Sequence, residues 1–201
     1  SAVLAAVGRR PNTDGLYAPG VALDMERGFI RVNERFETSL PGVYAIGDAI
    51  GGMMLAHVAS AQGLTVVHAL AGEKAPLRLT AIPACVYVSP EIASVGLTQA
   101  DCQQRGIEVK VGKALMGANG RTLIAGGQRG FIKVVVSAEN GRVLGAQLMC
   151  ERATDMIDSF TVAIANGLTA TQLMRAVRPH PTFLEAVGEA LDALEGRAIH
   201  S

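Results

Sequence analysis

Phe131-Ile132-Lys133-Val134-Val135-Val136-Ser137 is followed, after a polar break containing Asn140-Gly141, by Val143-Leu144-Gly145-Ala146-Gln147-Leu148-Met149. Both runs are rich in β-branched and aliphatic residues. Asn-Gly between two such runs is a strong short-range signal for an antiparallel hairpin. Working upstream, residues 85–88, 92–95 and 107–113 read as further strands. Gly96-Leu97-Thr98 opens a short helix expected over 99–105, with Thr98 as its cap. Downstream the pattern is helical, over about 153–166, 169–175 and 182–194, with Gly167 closing the first of these. An antiparallel sheet followed by helices predicts an α+β domain.

The front of the chain reads differently. Val3-Leu4-Ala5-Ala6-Val7-Gly8 is an apolar run ending in glycine, the pattern of a strand buried on both faces of a parallel sheet. Such a strand needs neighbours and crossover helices, and little before residue 50 supplies them. The expectation is a C-terminal piece of a longer protein. Short strands are expected around 21–23 and 29–32. The turn Leu40-Pro41-Gly42 leads to a strand at 43–46 that stops at Gly47-Asp48. A helix follows over about 54–70, then a linker over 71–80.

Composition narrows the classes. Eighteen basic and eighteen acidic residues balance, so there is no basic face for nucleic acid and no polybasic membrane patch. The apolar stretch 53–71 is broken by His57, Ser60, Gln62, Thr65 and His68, a buried or half-buried helix rather than a membrane span. Cys85, Cys102 and Cys150 are odd in number and have no metal spacing, so they read as plain thiols in a reducing, cytoplasmic setting, and no metal site is expected.

Two short segments carry chemistry. At Gly47-Asp48 a strand would end at the carboxyl edge of a sheet, where open α/β sheets bind ligands. The following helix would aim its amides at the same place. At the other end stands His180-Pro181-Thr182-Phe183-Leu184-Glu185. Thr182 and Glu185 match a capping box, so a helix is expected to start at Thr182. His180 then precedes it, with Glu185 on the first turn. A carboxylate against one imidazole nitrogen fixes the tautomer, the layout of an oriented general base. Taken singly, each has a plainer reading: Asp48 as a turn residue, Glu185 as a cap, His180 as part of a turn. His57 reads as a packing residue, and His68 and His200 as solvated surface.

In order along the chain stand Gly8-Arg9-Arg10-Pro11-Asn12, Thr38 with Tyr44-Ala45-Ile46-Gly47-Asp48, Leu55-Ala56-His57, Ser89-Pro90-Glu91-Ile92-Ala93-Ser94-Val95-Gly96-Leu97-Thr98, and His180-Pro181-Thr182-x-x-Glu185. This order and spacing resembles the class I pyridine nucleotide-disulfide oxidoreductases across nearly the whole chain. Gly130-Phe131-Ile132-Lys133 with Leu144-Gly145 is most similar to the dihydrolipoamide dehydrogenase branch, beside glutathione reductase-like and mercuric reductase-like alternatives. The resemblance implies that residues 1–8 end an NAD(P)-binding domain. Residues 9–78 would be the remnant of an FAD-binding α/β domain, and 79–201 an α+β interface domain that forms a homodimer. It implies FAD and NAD as cofactors. Asp48, with Gly47, would lie on the flavin's ribityl chain, and the amides of Leu55 and Ala56 on its pyrimidine end. His180 would be the acid–base, oriented by Glu185 and serving the redox disulfide of the other subunit. Its His-Pro bond is expected to be cis. Lipoyl domains of a 2-oxo acid dehydrogenase complex would be partners.

The family's Cys-x4-Cys pair and its Gly-x-Gly-x-x-Gly fingerprints are not in these residues, and the three cysteines do not replace them. Arg178 stands where the branch often carries a second histidine, and Phe183-Leu184 is bulkier than usual. The residues therefore support two readings: the C-terminal part of a disulfide oxidoreductase, or, taken by itself, a non-catalytic dimerisation module.

Overall fold

The computed structural model describes residues 2–127 and 129–200. Ser1 and Ser201, the outermost residues of the first and last expected segments, lie outside them. The chain forms two compact units, Ser1–Leu79 and Thr80–Ser201.

The first unit is sparse in regular structure. A two-stranded ribbon pairs β1 (Met25–Glu26) with β2 (Phe29–Ile30). A 3₁₀ turn at Gly47–Ile50 leads to helix α1 (Ala56–Leu70). Residues 3–8 form no strand, and Val3, Leu4 and Val7 are almost fully exposed. A two-sided apolar strand is stable only between neighbours, and among the described residues none pairs with it. Residues 21–23 carry no strand, and the one expected at 43–46 shrinks to a bridge between Glu37 and Tyr44. There the turn at Leu40-Pro41-Gly42 closes arms too short to extend a ladder. Helix α1 buries only Val58 and Val66 while Leu64, Val67 and Leu70 stay exposed. Among the described residues no helix is long and apolar enough to cross a membrane.

The second unit is the antiparallel α+β domain. Strands β3 (Ala84–Val86), β4 (Ile92–Gly96), β5 (Val109–Leu115), β6 (Phe131–Ser137) and β7 (Val143–Met149) lie in the order β3-β4-β7-β6-β5. Helix α2 (Gln99–Gln104) precedes β5, and α3 (Gly120–Ile124) follows it. Helices α4 (Ala153–Ala165), α5 (Ala170–Met174) and α6 (Glu185–Asp192) complete the unit.

Register explains the core. Ala93, Leu148, Ile132 and Ala114 are cross-strand neighbours, as are Val95, Ala146, Val134 and Gly112. These two rows share one face, because side chains alternate along each strand. The face is buried against α4, through Phe160, Met156 and Ile157, and against α6. The β6–β7 hairpin forms as expected, closed by bonds from Ser137 N–H to Arg142 O (2.9 Å) and Gly141 N–H to Ser137 O (3.0 Å). Helix α6 buries Ala186, Val187, Ala190 and Leu191, the i, i+1, i+4, i+5 spacing of a helix facing a sheet. It lies so close to β5 that a Cβ on Gly112 would stand 1.9 Å from the Ala190 carbonyl oxygen. This contact fixes the position of α6, and α6 carries the candidate site.

Candidate functional site

The segment 176–185 leaves α5 and enters α6 as an ordered loop. Its start is held by Arg178, whose guanidinium donates to the carbonyls of Leu173 and Ala176, both at 3.2 Å. Burial pulls that guanidinium below its ordinary range, against the opposing effect of Asp192. The His180–Pro181 bond is cis.

Helix α6 does not start at Thr182 as its sequence predicts. The Thr182 hydroxyl donates to Pro179 O at 2.7 Å instead of accepting from the Glu185 amide. Residues 183–184 form a turn closed by Ala186 N–H to Phe183 O (3.2 Å) and Val187 N–H to Leu184 O (3.0 Å), and helical geometry begins at Glu185. Half of the capping box survives: one Glu185 carboxylate oxygen accepts the Thr182 N–H at 2.8 Å. The other lies 2.8 Å from His180 Nδ1. Both contacts hold the Glu185 carboxyl below its ordinary value, the Thr182 amide first and the His180 hydrogen bond second. An ionised carboxylate only accepts, so Nδ1 carries the proton, and in the neutral ring Nε2 is then the acceptor. The His180 side chain is 79% exposed and that of Glu185 only 32%. The imidazole is presented and the carboxylate beside it is sheltered.

The pair lines a cavity of about 360 Å³. Ala114, Leu115, Ala118 and Ala186 give it apolar wall, while Asn119, Glu189 and His200 join His180 and Glu185 as polar groups. Asn119 is invisible to the strand and helix periods. Its carbonyl oxygen accepts from Thr122 N–H (2.9 Å) and caps α3, and its amide donates to Thr182 O (3.0 Å). The available signal is the Asn119-x-x-Thr122 start of α3. Arg121 stacks over the Phe183 ring at 5.9 Å and ties the same two segments. His200 is exposed, as expected, and also borders the cavity.

The second group lies in the first unit. Gly47 has φ +67°, and a Cβ there would come within 2.8 Å of the Ala59 Cβ, so only glycine fits the turn. Its N–H donates to Gln62 Oε1 at 2.7 Å. Asp48 pairs with Arg9 at 3.0 Å, and Arg9 also reaches the Met54 carbonyl. The Asp48 side chain is 47% exposed, and a carboxylate with one partner keeps acceptor capacity. Leu55 is the N-cap of α1 and offers no side-chain acceptor, so no side chain of the cap covers the amide end beginning at Ala56. Thr38 is buried in the bridged turn, its N–H on Val43 O at 2.8 Å. His57 is exposed rather than packed inside. His68 lies at the surface with Nδ1 2.9 Å from Glu73.

Cys85, Cys102 and Cys150 form no disulfide. Burial pushes the Cys150 thiol up to about 12. Among the described residues no cluster of three His, Cys, Asp or Glu is placed to hold a metal ion.

Comparison with known proteins defines the class. Residues 82–191 match the dimerisation domain of the pyridine nucleotide-disulphide oxidoreductases, and residues 1–63 match the pyridine nucleotide-disulphide oxidoreductase family. The chain belongs to this family. Among curated proteins it is 46% identical to a dihydrolipoyl dehydrogenase of Thermus scotoductus over 98% of its length and 43% of that protein's. It is 41% identical to one of Bacillus subtilis over 98% and 42%. Among solved structures it superposes on LpdA of Mycobacterium tuberculosis with a TM-score of 0.86 at 30% identity, covering 94% of this chain and 42% of that one. The HOCl-induced flavoprotein disulfide reductase RclA of Escherichia coli gives 0.83 at 27%, covering 93% and 44%. The chain thus spans less than half the length of the relatives it matches.

Proposed function

We propose that this chain is the C-terminal part of a dihydrolipoyl dehydrogenase, which oxidises dihydrolipoamide to lipoamide with NAD+ as the final acceptor. In this reading residues 1–8 close an NAD(P)-binding domain, 9–78 complete an FAD-binding domain, and 79–201 form the homodimer interface. The unpaired thiols suit a reducing cytoplasm, and lipoyl domains of a 2-oxo acid dehydrogenase complex would deliver the substrate.

The observation that carries the proposal is the 2.8 Å contact between His180 Nδ1 and Glu185 in the wall of a cavity. With Nδ1–H held by the carboxylate, Nε2 takes the proton of a thiol entering the cavity. The thiolate is the nucleophile in disulfide exchange. It attacks one sulfur of a disulfide on the partner subunit and expels the other as a thiolate, which takes up a proton. Loss of the second substrate proton lets the remaining thiolate attack the substrate sulfur of the mixed disulfide, which closes the cyclic disulfide and expels the enzyme cysteine as a thiolate, leaving the enzyme's pair reduced. Glu185 holds the imidazole through both transfers.

Flavin bound in the first unit would supply the relay of electrons from the reduced pair to NAD+. The residues there fit it. Asp48 can accept from ribityl hydroxyls, and the amide end of α1 suits the electron-rich edge of the ring. The cavity also speaks to the substrate. Among the described residues no Lys or Arg lines it, while Glu185 and Glu189 do. A neutral dithiol enters such a cavity more easily than an anionic thiol peptide, which two carboxylates repel.

The test is His180→Gln in the assembled flavoprotein. Dihydrolipoamide oxidation should fall by about 10²–10⁴-fold, the range for loss of a general base, while flavin absorbance per subunit stays constant. Unchanged turnover would remove His180 from the reaction.

A further inference from the structure

Beyond Glu195 the chain turns back along α6. Gly196 takes a left-handed conformation, Arg197 N–H bonds to Asp192 O at 3.0 Å, and the segment then runs alongside the helix. One oxygen of Glu189 accepts both the Ile199 N–H at 2.8 Å and the His200 N–H at 2.9 Å. Apolar burial does not hold this strap, since Ile199 is 82% exposed. The tether is the carboxylate. Hydrogen bonds to an ionised acceptor are roughly twice as strong as neutral ones, so one side chain can order two residues.

The strap's position matters because of what it borders. Glu189 follows Glu185 by one helical turn, on the same face of α6. Both line the cavity that contains His180, and His200 lines it as well. Resting on the reading of His180 as the base, we propose that Glu189 is a positioning residue that holds His200 in the wall of the acid–base cavity, so that the strap governs how the dithiol binds. His180 and Glu185 perform the proton transfer, and the strap shapes the space in which the thiol reaches them.

This division of roles predicts a split in kinetic constants. A contact made equally with bound substrate and transition state affects KM and leaves kcat alone. In the assembled flavoprotein, Glu189→Ala should raise KM for dihydrolipoamide about fivefold with kcat within about twofold, and His200→Ala should do the same. Glu189→Gln keeps an oxygen acceptor for the two amides but loses the charge, so KM should rise about twofold, less than in Glu189→Ala, with kcat within about twofold. Amide exchange at Ile199 and His200 reads the tether without reference to activity. It should accelerate about tenfold or more in Glu189→Ala and by a smaller factor in Glu189→Gln. Unaccelerated exchange in Glu189→Ala would overturn the tether. Accelerated exchange with unchanged KM would overturn its role in binding, as would a fall in kcat at constant KM. Failure of the functional reading looks different: wild-type protein would oxidise no dihydrolipoamide, or His180→Gln would leave turnover intact.

Discussion

Gly112→Ala should destabilise the second unit more than any other single added methyl group on β5. The new Cβ would stand 1.9 Å from the Ala190 carbonyl oxygen and 3.0 Å from Leu194 Cγ. The first neighbour is helix backbone and cannot rotate away. Relief requires α6 to move until the 1.9 Å contact opens to at least 3.0 Å. That displacement loosens Ala186, Val187, Ala190 and Leu191, all at most 2% exposed. Overpacking costs about 1–3 kcal/mol where side chains can adjust, and the lost contacts of four packed residues push this case to the upper end. About 3 kcal/mol corresponds to a fall in Tm of about 10 °C for a chain of this size. Thermal and urea unfolding followed by circular dichroism would measure it. Gly117→Ala is the control, because an added Cβ there meets nothing within 4 Å and should change stability by less than about 0.5 kcal/mol. Equal midpoints for the Gly112 variant, the control and wild type would refute the claim that this close approach sets the position of α6.

Other expectations follow from named contacts. Asn119→Ala removes the cap of α3 and leaves Thr182 O without its donor, a loss of about 2 kcal/mol. Asn119→Asp keeps the cap and loses only the donor, so denaturant midpoints of the two variants should separate the two contributions. Toward acid, the carboxyls of Asp101, Glu185 and Glu195 lie below their ordinary values, held by hydrogen bonds to Thr98, Thr182 and Lys110 respectively. The unfolded chain then binds more protons, so stability is complete above about pH 5 and falls as pH drops through 4 and below. A urea midpoint that stayed flat from pH 6 to 3 would contradict this. Toward alkali the sign reverses at Cys150, whose native thiol titrates at about 12 against an ordinary 9.0. The native state retains a proton that the unfolded chain releases, and stability declines between those values. In native protein at pH 8, iodoacetamide should label half-buried Cys85 before Cys150, as read by mass spectrometry. Equal labelling would show that Cys150 is not sheltered.

What the sequence revealed depended on how local the cause was. The β6–β7 hairpin is legible because β-branched runs and Asn140-Gly141 act within a few residues. Helix α4 is legible because Met156, Ile157, Phe160 and Ala163 recur at helical spacing. Thr98 and Thr169 cap α2 and α5 by complete capping boxes. Residues 3–8 and 43–46 failed as strands because a strand's stability lies in its neighbours. Asn119 was missed because α3 has only five residues, too few for a period to show. The spacing of His180 and Glu185 was legible, but the start of α6 was misread. The Thr182 hydroxyl had two possible partners, and only the folded loop shows that Pro179 O wins. The contact of Glu189 with residues 199 and 200 has no sequence period at all.

The candidate base is far more exposed than the carboxylate beside it, and that shapes how the site is held. A side chain 79% exposed gains little orientation from packing. Its placement must come from hydrogen bonds made by the loop around it. Three elements make them: Arg178 to the end of α5, Asn119 from the start of α3 to Thr182 O, and Glu185 at the start of α6 to Thr182 N–H and His180. Thr182 is held at both its carbonyl and its amide, from opposite sides of the loop. Loss of one tether therefore leaves the sheet and its core intact and releases the imidazole. Since a misplacement of about 1 Å can cost about 10²-fold in rate, such variants should lose far more activity than stability. The antiparallel sheet carries the stability, and the few polar contacts on a short loop would carry the proposed chemistry.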